Sequence, residues 1–430
     1  MTLLAHDFAE TPFWLMDARH PEPPVLPLPS VVDVLVVGSG YTGATAAYET
    51  AQAGCTTLVV DSGPIGGGCS SRNGGHVSFS LKPGHDALTV KHGSAVADRL
   101  YAEGLEAMTS LTAYVQNEQV NCDWHRVGGF VGAHTPRHFD RLVRDAEHQA
   151  VGFELPFEIV PKARQSEEID SPLYHGGVLY PDEMAVHPLK LMVSLYERAV
   201  RAGAQFQSHC AVHAIQKSAA GFDVLTSRGV VKARQVLMAT NGYTKSLSPW
   251  HQRRVMPIGS YILATEEMEP SVLAQLIPRG RNIGDTRRVI TYVRPSQDGR
   301  RLIFGGRAAA GESDVTRCVP RLHAMMTEMF PSLRSVRVSR AWMGYVGFTF
   351  DKLPHFGQRD GIFYSMGYCG QGVTLATYYG RKIGLRMAGK PGGETALEGL
   401  EFPSRPYYRG KPWFLPAAVA AYRIADALGI

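Results

Sequence analysis

An α/β fold on a largely parallel sheet, interrupted by a unit with its own antiparallel sheet, is predicted by three features of this 430-residue sequence. Residues 34–37 (VLVV) enter Gly38-Ser39-Gly40-Tyr41-Thr42-Gly43 and a small-residue stretch, and a second apolar strand then ends on Asp61. Far downstream, a buried run at 362–366 enters Gly367-Tyr368-Cys369-Gly370-Gln371-Gly372 and a second helical pattern. Between them, residues 257–306 turn to alternating β patterning, with Asp298-Gly299 as a turn signal.

The first of these units has the physical requirements of a dinucleotide site. One glycine permits the tight turn, the next lets backbone approach a pyrophosphate, and the third lets helix and strand pack closely. The helix N-terminus presents unpaired N–H groups and a positive dipole end to phosphates. Asp61 follows at the distance where an acid accepts hydrogen bonds from a ribose.

Composition sets the frame for these motifs. The chain is 44% hydrophobic and 19% charged, as in a globular enzyme with a large core, and its formal charge is +5. The arginines are scattered rather than gathered into an arm, which argues against a nucleic-acid partner. Six cysteines form neither a CxxC nor a zinc-like pair, the histidines lack metal-ligand spacing, and no metal is expected. The first residues lack a basic, apolar leader, and no apolar run reaches the ~18 residues of a spanning helix. A cytoplasmic protein without a membrane partner is expected.

The remaining elements follow from periodicity. Residues 1–30, rich in proline, form an extended arm with Trp14 as its anchor. Helical spacing recurs over 86–116 and 137–150, and His187-Pro188 opens a helix that Gly203 closes. Short strands follow at 205–217, a hairpin turns at 227–229, and 236–240 is a strand buried on both faces. Residues 320–330 are helical, and a strand precedes Gly344. The expected nucleotide domain is discontinuous, comprising 31–85, 176–245 and 340–390. Residues 86–175 and 246–339 form the substrate domain, and 391–430 a tail.

The loop after Asp61 separates two kinds of dinucleotide. A nicotinamide dehydrogenase has no need of Ser70-Ser71-Arg72-Asn73-Gly74-Gly75 there. A flavin is longer and stiffer, and uses hydroxyls, an arginine and glycine backbone along its ribityl chain and ring; the alternative is a surface loop. The helix start after Gly370-Gln371-Gly372 places positive dipole where reduced flavin carries negative charge, or else is a simple tight turn. Five side chains are candidates for the reaction pocket: His76, Tyr292, Arg294, Arg307 and Tyr345. His76 follows the Asn-Gly-Gly turn and would border the ring or serve as a structural histidine. Tyr292 and Arg294 share a strand face, suited either to a substrate carboxylate or to an interdomain ion pair.

In order along the chain, GSGYTG, Asp61, SSRNGG, ATNGYT (239–244), RPSQDGRRLIFGGR (294–307), WMGYVGFTFDKLPHFG (342–357) and GYCGQGV (367–373) resemble the D-amino-acid oxidase superfamily of FAD enzymes. The similarity is greatest to its gamma-glutamylputrescine oxidoreductase-like branch, and it spans nearly the whole chain. It implies a Rossmann-like, glutathione-reductase-type FAD domain interrupted by an α+β substrate domain. Carried over residue by residue, Gly38, Gly40, Tyr41, Thr42 and Gly43 would face the pyrophosphate, and Asp61 and Ser62 the adenosine. Ser70, Ser71, Arg72, Asn73, Gly74 and Gly75 would run along pyrophosphate, ribityl and ring. Val212, Thr240 and Gly242 would border the adenine side, and Gly344, Gly370, Gln371, Gly372 and Val373 the flavin. Tyr345 stands about where sarcosine oxidase relatives carry a flavin-linking cysteine, so the FAD is expected to be non-covalent. Gln371 stands where the branch often has histidine, and is left as the polar group at the ring edge.

The implied reaction is oxidation of a C–N bond in an amine or amino acid. Hydride would pass to flavin N5, the imine would hydrolyse to an aldehyde or keto acid, and O2 would become H2O2. Two alternatives stay open: a dehydrogenase passing electrons to a quinone or an electron-transfer protein, and a non-catalytic flavoprotein acting as a binding or assembly partner.

Overall fold

The structure, a computed structural model, describes residues 3–79, 81–307 and 314–428. The ends of the expected arm (residues 1–2) and tail (429–430), and 308–313 of the expected substrate domain, lie outside the described residues. Two main sheets share the work. In the first, Gln205–Gln207, Thr57–Val60, Val31–Val37 and Gly229–Met238 run parallel in that order. Gly229–Met238 pairs along its other edge with Gly221–Thr226 in a hairpin and with Ile362–Met366 in parallel. The hairpin strand and the strand expected at 236–240 are therefore one continuous element. Val34, Leu35, Val36, Leu58 and Val59 are fully buried, as a sheet covered on both faces requires.

Helix Tyr41–Gln52 lies on this sheet. Gly43 is required there: a Cβ would stand 1.9 Å from the Gly38 carbonyl oxygen, so any side chain would push the helix off its strand. Helix Gly372–Met387 packs alongside, and Thr42 Oγ1 meets the Tyr368 hydroxyl at 2.7 Å between the two. Helix Pro188–Arg201 starts at His187, whose Nδ1 accepts from the Lys190 amide at 3.1 Å.

The second sheet has the order Leu4–Ala9, Val338–Phe348, Met256–Thr265, Leu302–Gly306, Thr291–Pro295, Asn282–Asp285, Gly129–Gly132, Gly177–Tyr180, Glu158–Val160 among the described residues. It is mostly antiparallel, with parallel pairs at Leu4–Ala9 on Val338–Phe348 and Asn282–Asp285 on Gly129–Gly132. Three of its strands come from stretches expected elsewhere. Gly177–Tyr180 and Val338–Phe348 belong to this sheet, although 176–245 and 340–390 were expected in the nucleotide unit. Leu4–Ala9 is an edge strand within the expected arm. The reason is physical: short strands are fixed by the partners they pair with, which local patterning does not contain.

The arm is tied down beyond this strand. Trp14 is 1% exposed, and its indole N–H donates to the Asn73 carbonyl at 2.9 Å, while His20 Nδ1 lies 2.9 Å from the Ile65 carbonyl oxygen. No helix among the described residues is long and apolar enough to cross a membrane.

Replacing Trp14 with alanine deletes this anchor and leaves a large cavity, so urea unfolding should show a loss of about 3–5 kcal/mol. A loss below about 1 kcal/mol would mean that the arm does not hold the glycine loop.

Candidate functional site

The two helix starts on the parallel sheet open onto one cleft of about 560 Å3. Its wall includes Gly38, Gly40, Tyr41 and Thr42 at the first helix, Asp61 and Ser62 after the second strand, and Ser70 and Asn73 of the glycine loop. Val212, Thr240, Gly370, Gly372 and Val373 complete the expected residues that line it. Gly370 has φ +99°, and a Cβ there would meet no atom within 4 Å, so the backbone faces open space.

Asp61 organises the cleft floor. Its Oδ2 accepts from the Ser39 hydroxyl at 2.6 Å and the Ser39 amide at 2.8 Å, and its Oδ1 accepts from the Gly63 amide at 3.0 Å. Ser39 Oγ accepts in turn from the Gly66 amide at 2.9 Å. Ser39 thus joins the two glycine loops. The sequence reading passed over it as the spacer in a glycine motif, although a hydroxyl between two glycines was the available signal. The reading also missed residues 243–247, which line the cleft directly after the expected Asn241-Gly242 turn.

The rest of the glycine loop is held by protein groups. Ser70 Oγ accepts from the Tyr41 amide at 3.0 Å, and Ser71 Oγ donates to the Gly66 carbonyl at 2.8 Å. Arg72 donates to the carbonyls of Gly67 (2.9 Å) and Met343 (3.2 Å). Gly75 has φ +72°, and a Cβ there would stand 2.2 Å from the Val186 carbonyl oxygen and 3.1 Å from the Arg294 guanidinium. A Cβ on Gly74 would stand 2.9 Å from the Tyr292 ring. These two glycines therefore make room for protein side chains. Gly43, Gly242 and Gly344 lie behind the cleft wall, where a Cβ would meet Gly38, Gly347 and Arg72 respectively.

The candidate pocket side chains fall into two groups. His76, Tyr292 and Arg294 come together beneath the glycine loop. The His76 and Tyr292 rings meet edge-on at 5.7 Å, and the Tyr292 hydroxyl lies 2.9 Å from Ser260 Oγ. Arg294 is 3% exposed, donates to the Gly75 carbonyl at 3.0 Å, and sits over the Trp14 ring. It has no carboxylate partner among the described residues, and burial lowers its pKa to about 10. His76 Nε2 and Arg294 Nε are both buried without a hydrogen-bond partner among those residues. Burial, reinforced by the Arg294 charge, lowers the His76 pKa to about 3, so the imidazole is neutral.

The others stand apart from this trio. Tyr345 packs on Tyr243 at 5.3 Å, its amide donates to the Tyr243 hydroxyl, and its carbonyl accepts from the Cys69 thiol. The Arg307 guanidinium lies 5.9 Å from the Phe348 ring centre. Burial, together with the charges of Lys352 and Arg307, lowers the pKa of Lys82, a cation the sequence reading had not singled out. Gln371 stands at the N-cap of helix Gly372–Met387, and its side-chain oxygen accepts from Ser78 Oγ at 3.4 Å. Cys369 is buried, which pushes its thiol up to about 11 and keeps it protonated.

The donor set fits a flavin dinucleotide: two helix N-termini, a carboxylate on the floor, and a glycine backbone open to the space between them. Comparison with known proteins agrees. The profile of the family described as DAO, FAD dependent oxidoreductase, matches residues 33–384. A probable oxidoreductase OrdL of Haemophilus influenzae is 28% identical over 91% of both chains. Gamma-glutamylputrescine oxidoreductase of Escherichia coli K12 is 28% identical over 93% of both. Among solved structures, glycine oxidase from Geobacillus kaustophilus superposes with a TM-score of 0.73 at 20% identity, covering 88% of this chain and 100% of its own.

His76 supplies a pH test. Its folded pKa lies below the ordinary 6.5, so the unfolded chain binds the proton more readily. The stability concerned is present above pH ~6.5 and is lost as pH falls toward 3. In His76→Asn, the loss of unfolding free energy between pH 7 and pH 5 should shrink by about 2 kcal/mol. An unchanged difference would show that His76 takes up its proton freely in the folded state.

Proposed function

The chain belongs to the DAO family of FAD-dependent oxidoreductases, and on that premise we propose that it oxidises the C–N bond of an amine or amino acid with O2 as the final acceptor. The observation that carries this reading is the cleft that receives two helix N-termini beside Asp61 and is walled in part by the glycine loop. Relatives support the substrate class: one acts on gamma-glutamylputrescine, and others are named 4-methylaminobutanoate oxidase and glycine oxidase.

In this reading Asp61 holds the adenosine ribose, with Ser39 keeping its carboxylate in place. The first-turn amides of helix Tyr41–Gln52 hold the pyrophosphate. The first-turn amides of helix Gly372–Met387, with Gln371 beside them, would hold the flavin end, and the FAD would be held without a covalent bond. Bound there, FAD supplies a two-electron acceptor for the hydride of an amine C–H bond.

The chain's own contribution is to orient the amine and limit water. His76 stays neutral, so it takes no proton from an ammonium substrate and presents an unpaired buried nitrogen. Arg294 Nε beside it is a donor in need of an acceptor, which a substrate carboxylate provides. The substrate loses two electrons and two protons to become an imine. Water then adds to the imine, giving an aldehyde or keto acid and releasing the nitrogen as an amine or ammonia, while O2 leaves as H2O2. The six free cysteines fit a reducing compartment, and the proposed site of action is the cytoplasm.

A panel of amines and amino acids, assayed for peroxide with the FAD-loaded enzyme, tests the reaction. An active substrate should give a kcat/KM that rises about tenfold per pH unit below its own ammonium pKa, because only the free amine reacts. A flat profile contradicts the scheme. Anaerobic flavin bleaching followed by slow recovery in air would replace O2 with a quinone or electron-transfer protein.

A further inference from the structure

Away from this cleft, the structure brings together residues that sequence spacing keeps apart. His85 and Asp86 open helix His85–His92, and His148 lies on helix Pro136–Phe153. One ligand atom from each of the three lies within 4.8 Å of the others, and the two imidazole rings meet at 5.0 Å. His148 Nδ1 stands 3.2 Å from Asp86 Oδ1. Together with Asp145, Gln149 and Phe153 they line a small recess of about 40 Å3, room for an ion.

The chemistry of His85 makes this a binding site and not a chance cluster. Its Nε2 lies 2.7 Å from Asp98 Oδ1. A carboxylate only accepts, so Nε2 donates, and in the neutral imidazole Nδ1 then keeps its lone pair. That Nδ1 is buried with no hydrogen-bond partner among the described residues, and the His85 side chain is 12% exposed. A buried acceptor without a donor is costly, and a cation is the partner its geometry admits. An imidazole fixed through its second nitrogen by a carboxylate is the arrangement that orients metal ligands. The other such group among the described residues, Asp17–Asp123–His187, already has a cation: Lys190 Nζ lies 2.9 Å from Asp123 and 3.2 Å from Asp17.

We propose that His85, Asp86 and His148, with Asp145 beside them, bind a transition-metal dication, zinc in the first instance. Two imidazoles with carboxylates suit zinc, whereas magnesium and calcium take oxygen ligands throughout. The ion would act as a clamp between the two layers of the molecule. Helix Pro136–Phe153 rests on strand Gly177–Tyr180 of the antiparallel sheet. Helix His85–His92 packs on Ser94–Asn117, which packs in turn on Gly372–Met387 at the cleft.

The test uses the full-length, FAD-loaded protein freed of metal with a chelator and dialysed, then titrated calorimetrically with zinc chloride. One zinc should bind per chain, and the melting temperature should rise with zinc but not with magnesium. His148 is 52% and Asp86 77% exposed, so His148→Ala and Asp86→Asn should keep the metal-free melting temperature and the flavin spectrum. Each should weaken zinc binding by about tenfold or more, and Asp98→Asn, which frees the His85 ring, by about tenfold. The exposed His125→Ala should change nothing. No saturable binding, or equal affinity in wild type and both ligand variants (an adventitious ion only), would overturn the proposal.

Discussion

Three carbonyls of the glycine loop carry the architecture. The Arg72 carbonyl accepts the Trp342 indole N–H at 2.8 Å, the Asn73 carbonyl that of Trp14 at 2.9 Å, and the Gly75 carbonyl an Arg294 guanidinium N–H at 3.0 Å. All three donors are nearly fully buried and come from the antiparallel sheet or the arm beside it. A buried N–H without an acceptor costs about 1–3 kcal/mol, so neither side can relax without exposing the other's unmet group. The opposite edge of the loop is pinned to the parallel sheet through Ser39, Asp61 and the Ser70–Tyr41 contact. The loop is therefore the seam between the sheets, and the cleft takes its shape from it.

The same seam sets the electrostatics. Arg294 is placed for its bond to Gly75 with no carboxylate among the described residues to neutralise it, and its charge adds to the burial that keeps His76 from taking a proton. Two helix N-termini add positive potential from the other side. A cleft of this sign suits an anionic dinucleotide.

How far this was legible in the sequence follows from where each constraint lies. Strand, glycine turn and helix are neighbours in the chain, so Val31–Val37, Tyr41–Gln52, Ile362–Met366 and Gly372–Met387 follow from local pattern, as does part of the cleft lining. The small strands Leu4–Ala9 and Gly177–Tyr180 owe their existence to distant partners and leave little local trace. Glycines 74 and 75 were expected to let the backbone pass close to a flat ring, but a Cβ on either would meet protein groups. What approaches them, Tyr292 and Arg294, is encoded more than two hundred residues away. Ser39 hid inside a motif whose glycines drew all the attention. His85 and His148 sit on different helices, so their pairing belongs to the packing alone.

The FAD dissociation constant of Trp342→Phe tests the central claim, that the seam builds the cofactor cleft, most directly. The substitution keeps an aromatic ring in place, removes the N–H that holds the Arg72 carbonyl and trims the buried indole to a smaller ring. If the cleft depends on the seam, FAD should bind about five- to tenfold more weakly, the equivalent of one hydrogen bond. A variant that unfolds more readily yet binds FAD as tightly as the wild type would contradict the account.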